Sequence, residues 1–197
     1  MALAADGAWL GPDEPSPFVP DAARWITAPQ TAPDGWDRWA YFRVDVQVPA
    51  KVQRAILSLA PNQYAELCLD GELVATACDH HACQPVFSDV TGRLAPGSHR
   101  LAARVYSEWI PALYAQLRVE DMDGQVRDYG TGVDWESCLD AGDGWRHADE
   151  GSWASAKDGS GYHWRPGDSW IGREFALLPR QQVREHFEVH NALLRDS

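Results

Sequence analysis

Basic side chains are scarce in this sequence: 17 lysines and arginines stand against 29 aspartates and glutamates, a formal net charge of −12. Such a chain repels phosphate backbones and anionic lipid, so nucleic acid and membrane surfaces are disfavoured as partners. No apolar run approaches the length of a membrane span. The first residues carry no basic segment and their apolar run is interrupted, unlike a secretory signal peptide, so a cytoplasmic location is expected. Four cysteines, Cys68, Cys78, Cys83 and Cys138, are too few for a disulfide scaffold in 197 residues and read as reduced thiols. A nucleophile elbow, an HExxH pair, a P-loop and a Gly-rich dinucleotide motif are all missing. Glycoside hydrolysis needs two carboxyl groups about 5–10 Å apart, but among 29 acids some pair is always available, so their presence is no evidence for catalysis.

What the chain does have is alternation, and residues 55–109 carry most of it. Apolar runs flank Asp70-Gly71, a strong hairpin signal because both central residues of that turn need positive φ. In this register Cys68 faces Leu73 and cannot reach Cys78. A loop at Phe87–Asp89–Val90 and a turn at Leu94-Ala95-Pro96-Gly97 follow. Residues 99–106 then place Leu101, Ala103 and Val105 on one face and Arg100, Arg104 and Tyr106 on the other. Upstream, residues 41–48 alternate Phe42, Val44, Val46 and Val48 against Tyr41, Arg43, Asp45 and Gln47, and Pro49 stops the strand. Downstream, Leu113, Ala115, Leu117 and Val119 share a face, and residues 121–125 turn the chain back. That turn begins like a calcium loop but lacks the remaining ligands, so it reads as a hairpin. Half-buried strands of this kind must cover their apolar faces with a second sheet. The expected fold is all-β, a jelly-roll β-sandwich of eight or so strands.

Residues 65–75, AELCLDGELVA, and 89–106, DVTGRLAPGSHRLAARVY, resemble the signature of galactose-binding-like jelly-roll domains. Among these, the N-terminal accessory domains of bacterial α-L-rhamnosidases are similar to this stretch. ARWITAP (23–29) and WAYFRVDVQVP (39–49) resemble the start of those domains, and residues 130–135 their closing strand. The resemblance covers roughly residues 22–135. Asp70 stands where the family usually has Asn, and His99 where Asn is usual. The resemblance implies a non-catalytic module, since the catalytic residues of rhamnosidases lie in a helical barrel domain. It also implies that Arg43 is a structural cation paired with an acid.

Ten tryptophans supply candidate sugar platforms as well as core, because the C–H faces of sugar rings stack on indoles. Trp25 is expected to plug one end of the sandwich. Trp36 and Trp39 fall on a Pro-Asp-Gly turn that either stacks a sugar or packs on its own sheet. The loop ACDHHACQ (77–84) offers His80 and His81. Its C-x-H-H-x-C spacing fits no common zinc pattern, and adjacent ligands point apart, so neither metal nor cofactor is expected. A neutral imidazole both donates and accepts, which suits a sugar hydroxyl. After the strand that ends at Tyr106, Glu108 could accept from paired hydroxyls while Trp109 stacks, or the segment is a plain crossover. The candidate carbohydrate-binding set is therefore Trp36, Trp39, His80, His81, Glu108 and Trp109, with no catalytic residue.

Residues 1–20, rich in Pro and acids, read as a tail, 21–178 as the sandwich, and 179–197 as a connector. Within the sandwich, residues 137–172 form a long Trp-rich loop whose indoles act as pegs. Expected partners are a rhamnose- or galactose-containing glycan or a neighbouring glycosidase domain, with a homodimer as a further option. The functional expectation is a non-catalytic carbohydrate-binding or accessory module. The alternative is a structural or oligomerisation domain with no sugar binding of its own.

Overall fold

The computed structural model describes residues 22–28, 38–79, 86–107, 110–147 and 151–159. The tail at 1–20, the connector at 179–197 and residues 160–172 of the Trp-rich loop lie outside them. Among the described residues there is no α-helix; a 3-10 turn spans Thr91–Arg93.

The strands are β1 (Ile26–Thr27), β2 (Arg38–Val48), β3 (Val52–Pro61), β4 (Gln63–Leu69), β5 (Glu72–Asp79), β6 (Val86–Asp89), β7 (Gly97–Ser107), β8 (Ala112–Asp121), β9 (Val126–Gly130), β10 (Glu136–Cys138), β11 (Ala154–Ser155) and β12 (Lys157–Asp158). They form two antiparallel six-stranded sheets. One runs β12-β1-β8-β3-β6, with β9 also on β8; the other runs β11-β10-β2-β7-β4-β5. The β4–β5, β8–β9 and β10–β11 connections stay within a sheet, and the rest cross between sheets, so the chain winds around a single core. The strand count exceeds eight because four strands of two or three residues, β1, β10, β11 and β12, add to the eight longer ones.

Alternation decides which side chains meet. Phe42, Val46 and Val48 of β2, Leu101, Ala103 and Val105 of β7, and Leu113, Ala115, Leu117 and Val119 of β8 join one buried cluster between the sheets. The Asp70-Gly71 turn has φ of 50° and 82°, the left-handed pair that a two-residue hairpin requires. Cys68 pairs with Leu73 across this hairpin, although the register slips by one residue between Leu67 and Cys68. Cys68 and Cys138 are buried free thiols. The turn after β8 is held by its own side chain: Asp121 Oδ1 accepts from the backbone N–H groups of Asp123 and Gln125 at 3.0 and 2.9 Å. That carboxylate oxygen is thereby committed to the turn.

Three expectations are corrected. Residues 86–89 are strand β6, not loop; they pair with Ile56–Leu59 of β3 and form the edge of that sheet. Trp39 lies inside β2, because pairing with β7 continues upstream of residues 41–48, to Trp39 opposite Tyr106 and Arg38 opposite Ser107. Trp25 does not plug an end. It is buried edge-on against Tyr114, 5.7 Å between ring centres, and Tyr114 points away from the core that its neighbours Leu113 and Ala115 enter. The N-terminal segment reaches that position by backbone contact. Arg24 N–H donates to the Thr131 carbonyl at 2.8 Å, the Thr131 hydroxyl donates to the Arg24 carbonyl at 2.6 Å, and a Cβ on Gly130 would fall 1.9 Å from the Ala22 carbonyl oxygen.

At the Asp70 end, His99 sits buried between two acceptors. Its Nδ1 is 2.6 Å from Asp70 Oδ2 and its Nε2 is 2.7 Å from the Ala95 carbonyl oxygen, while Asp70 Oδ1 accepts from the Arg100 N–H at 2.8 Å. A carboxylate and a carbonyl both accept, so the arrangement fits the doubly protonated ring. Burial opposes that charge, but the Asp70 and Ala95 hydrogen bonds outweigh it and raise the pKa above the ordinary histidine value. A raised folded-state pKa gives stability that is complete below the unfolded value, about 6.5, and is lost as pH rises through the folded value. Relative to His99→Asn, the wild type should therefore lose stability between mildly acidic and alkaline pH, as read from urea midpoints across pH. A constant difference over that range would assign His99 a packing role alone.

Candidate functional site

The outer face of the second sheet carries an ordered set of aromatic and charged side chains. Strand register builds it in rows. Trp39, Tyr106 and Tyr64 stand side by side across β2, β7 and β4, and Tyr41, Arg104 and Glu66 form the next row. Trp39 meets Tyr64 edge-on at 5.8 Å and Tyr106 at 5.4 Å between ring centres.

Glu66 organises the second row. Arg104 grips it with two nitrogens, Nε to Oε2 at 3.0 Å and Nη2 to Oε1 at 2.7 Å. The Tyr64 hydroxyl donates to Oε1 at 2.8 Å, and Arg146 Nη2 reaches Oε2 at 3.5 Å. Burial disfavours the Glu66 charge, yet these hydrogen bonds and the two guanidinium charges prevail and hold its pKa below the usual carboxylate value. The Tyr64 hydroxyl is pushed the other way, by burial and then by the Glu66 carboxylate. The Arg104 guanidinium lies 4.8 Å from the Trp39 ring centre and 5.6 Å from that of Trp145. Cation–π contacts at such distances contribute about 0.5–1 kcal/mol each at exposed sites.

Trp145 comes from the segment after β10. This segment folds back over the sheet and buries a second, smaller cluster of Cys68, Ala102, Cys138, Ala141 and Trp145. Burial pushes the Cys68 thiol up to about 11, so it is a packing group rather than a nucleophile. Trp153 lies over the Arg43 guanidinium, 4.1 Å from its centre, and Arg43 pairs with Glu136 at 2.8 Å, the structural role that the resemblance implied.

Of the six residues singled out in the sequence, Trp39 joins this face; Trp36, His80, His81, Glu108 and Trp109 lie outside the described residues. The strand ends beside those segments can nevertheless be compared. Arg38 pairs with Ser107, and Tyr64 pairs with both Tyr106 and Cys78, so β2 and β4 begin where β5 and β7 end, on one edge of the sheet. The crossing from β3 to β4 occurs at this edge, through Gln63 with φ of 92°, an uncommon value for a residue with a side chain. Sequence reasoning missed Tyr64, Glu66, Trp145 and Arg146. The register across the Asp70-Gly71 hairpin could have placed Tyr64 and Glu66 on the outer face; no local signal ties Trp145 to it.

These features define a class: an all-β jelly-roll sandwich whose second sheet bears an aromatic, arginine-rich outer face. Among the described residues no group of three or more metal-ligating side chains occurs. No family model and no curated protein matches the chain. Among solved structures it is similar to an α-L-rhamnosidase of Streptomyces avermitilis complexed with L-rhamnose, at 22% identity and a TM-score of 0.63 over 73% of this chain. It is similar to the α-L-rhamnosidase of Aspergillus terreus at 15% identity and a TM-score of 0.62 over 76%. It is also similar to a lectin of Pleurotus ostreatus at 19% identity and a TM-score of 0.62 over 78%. The chain spans 15% and 22% of the two rhamnosidase chains and 45% of the lectin. What is shared is the fold, an antiparallel β-sandwich, and it accounts for a minor part of each rhamnosidase chain.

Proposed function

We propose that this chain is a non-catalytic carbohydrate-binding or accessory module of an α-L-rhamnosidase-like glycoside hydrolase. The observation that carries the reading is the row of Trp39, Tyr106 and Tyr64 at the sheet edge where four strand ends meet. Aromatic rings beside a charged Arg–Glu pair supply both chemistries a sugar needs, an apolar surface for its C–H face and strong partners for its hydroxyls. The similar rhamnosidase and lectin folds support this reading. So does the small share of each rhamnosidase that the chain covers, which fits an accessory region. We assign Trp36, Trp39, His80, His81, Glu108 and Trp109 to the binding surface, in company with Tyr64 and Tyr106.

One observation favours a purely structural module. Both Glu66 oxygens are engaged within the chain, and Trp145 is buried over the same face, as in a surface that only supports itself. Intrinsic tryptophan fluorescence separates the readings. Titration with rhamnose, galactose or N-acetylgalactosamine should give a saturable change with Kd roughly micromolar to millimolar, the range of a shallow site. Trp109→Ala should remove most of that binding and leave the melting temperature in place. Flat traces with every sugar, together with a dimer by light scattering, would establish the structural module instead.

A further inference from the structure

The Glu66 cluster is unbalanced in charge. One carboxylate serves two guanidinium groups, and it serves them unequally. Arg104 is held by two short bonds, whereas Arg146 touches Glu66 through one nitrogen at 3.5 Å, the limit of a hydrogen bond. Glu66 has little left to offer, since Oε1 already accepts from Tyr64 and Arg104, and Oε2 from Arg104 and Arg146. Its side chain is 9% exposed, while those of Arg104 and Arg146 are 32% and 38% exposed, so the cations face solvent and the anion does not. Among the described residues, two partly exposed guanidinium groups thus share one buried carboxylate, in a chain of net charge −12. At physiological salt the screening length is about 8 Å, so neighbouring groups outweigh the distant acids. Asp140 and Asp143 act on Tyr41, the register neighbour of Arg104, and offset part of the positive excess on the β2 side, while Arg43 is matched by Glu136.

The spacing suits one ligand chemistry. The aromatic row and the Arg104 row are two residues apart along their strands, about 7 Å. A pyranose ring over the first row would direct a substituent at its rim towards the second. Guanidinium groups bind planar anions through paired N–H bonds, and a carboxylate is the planar anion that sugars carry. We infer that the module recognises a carboxylate-bearing sugar, a uronate, with Arg146 and the exposed edge of Arg104 as the acid-binding pair. The inference rests on the carbohydrate reading above and names the class of sugar.

The experiment compares galacturonate with galactose and glucuronate with glucose, titrating the full chain by fluorescence and calorimetry. Each acid should bind about tenfold tighter than its neutral partner, an advantage that shrinks as salt is raised. In Arg146→Gln the acid-to-neutral ratio should fall to near one, and Arg146→Lys should restore part of it. Competition by acetate at equal ionic strength separates uronate recognition from general anion binding; full displacement by acetate would overturn the inference. Equal affinity for acid and neutral sugars would also overturn it while leaving the carbohydrate reading intact. Absence of binding by any sugar would overturn both.

Discussion

Gly71→Val is expected to lower stability by about 2–3 kcal/mol, read from urea or thermal unfolding. Two effects combine at this position. The first is conformational: Gly71 holds φ of 82°, which costs an L-residue about 1–2 kcal/mol and a β-branched one more. The second is steric: a Cβ at Gly71 would lie 1.6 Å from Cε1 of His147, whose ring covers the turn. His147 is exposed and its ring can swing aside, so the conformational effect is the larger. The two are separable by experiment. Adding His147→Ala to Gly71→Val should recover less than half of the loss, and Gly71→Asn, which tolerates the left-handed region, should cost less than Gly71→Val. Full recovery in the double variant would show that the contact with His147, not the turn, sets the requirement for glycine.

Arg104→Met is expected to cost about 2–3 kcal/mol, discounted from the loss of a fully buried pair because the guanidinium is partly exposed. The loss comes mainly from Glu66, which would keep its charge in a buried site with only Tyr64 and the weak Arg146 contact to satisfy it. The depressed pKa of Glu66 fixes the pH dependence. Its stabilisation is present above the unfolded value, about 4.3, and is lost as pH falls through the folded value. The penalty of Arg104→Met should therefore shrink in acid, where Glu66 takes up a proton. Combining Glu66→Gln with Arg104→Met should cost less than the sum of the single changes. Strict additivity would mean that the two side chains act independently and that the row is held by its aromatic contacts.

The parts of this fold that were legible in the sequence are local. Period-2 alternation at residues 41–48, 99–106 and 113–120 fixed which face of each strand is buried, because successive side chains must point to opposite sides. The Asp-Gly dipeptide fixed a hairpin because few residues accept positive φ, and the Cys68–Leu73 pairing followed from it. Errors arose where local signals were equivocal. The short edge strand Val86–Asp89 has too few residues to show a period. Trp39 follows the sequence Pro33-Asp34-Gly35, and that turn signal concealed that the strand begins one residue before Trp39. The candidate face was less legible than the fold. Trp39, Glu66, Arg104 and Trp145 come from four separate parts of the chain, and only strand order and register make them neighbours.

Strand pairing across long sequence separations also shapes how the protein is made. Arg43 lies beside Glu136, and Ile26 of β1 lies beside Asp158 of β12. At the usual pace of translation the ribosome needs roughly ten seconds to travel from the first member of that last pair to the second. During this interval β1 and β2 have emerged without β12 and β10, their backbone donors and acceptors open to any other strand. Nascent chains on one messenger are close together at this stage, and each already carries acidic residues in excess. Mutual repulsion at close range then opposes contact between unfinished sheets. The scarcity of lysine and arginine thus bears on the unfinished chain as well as on the folded one.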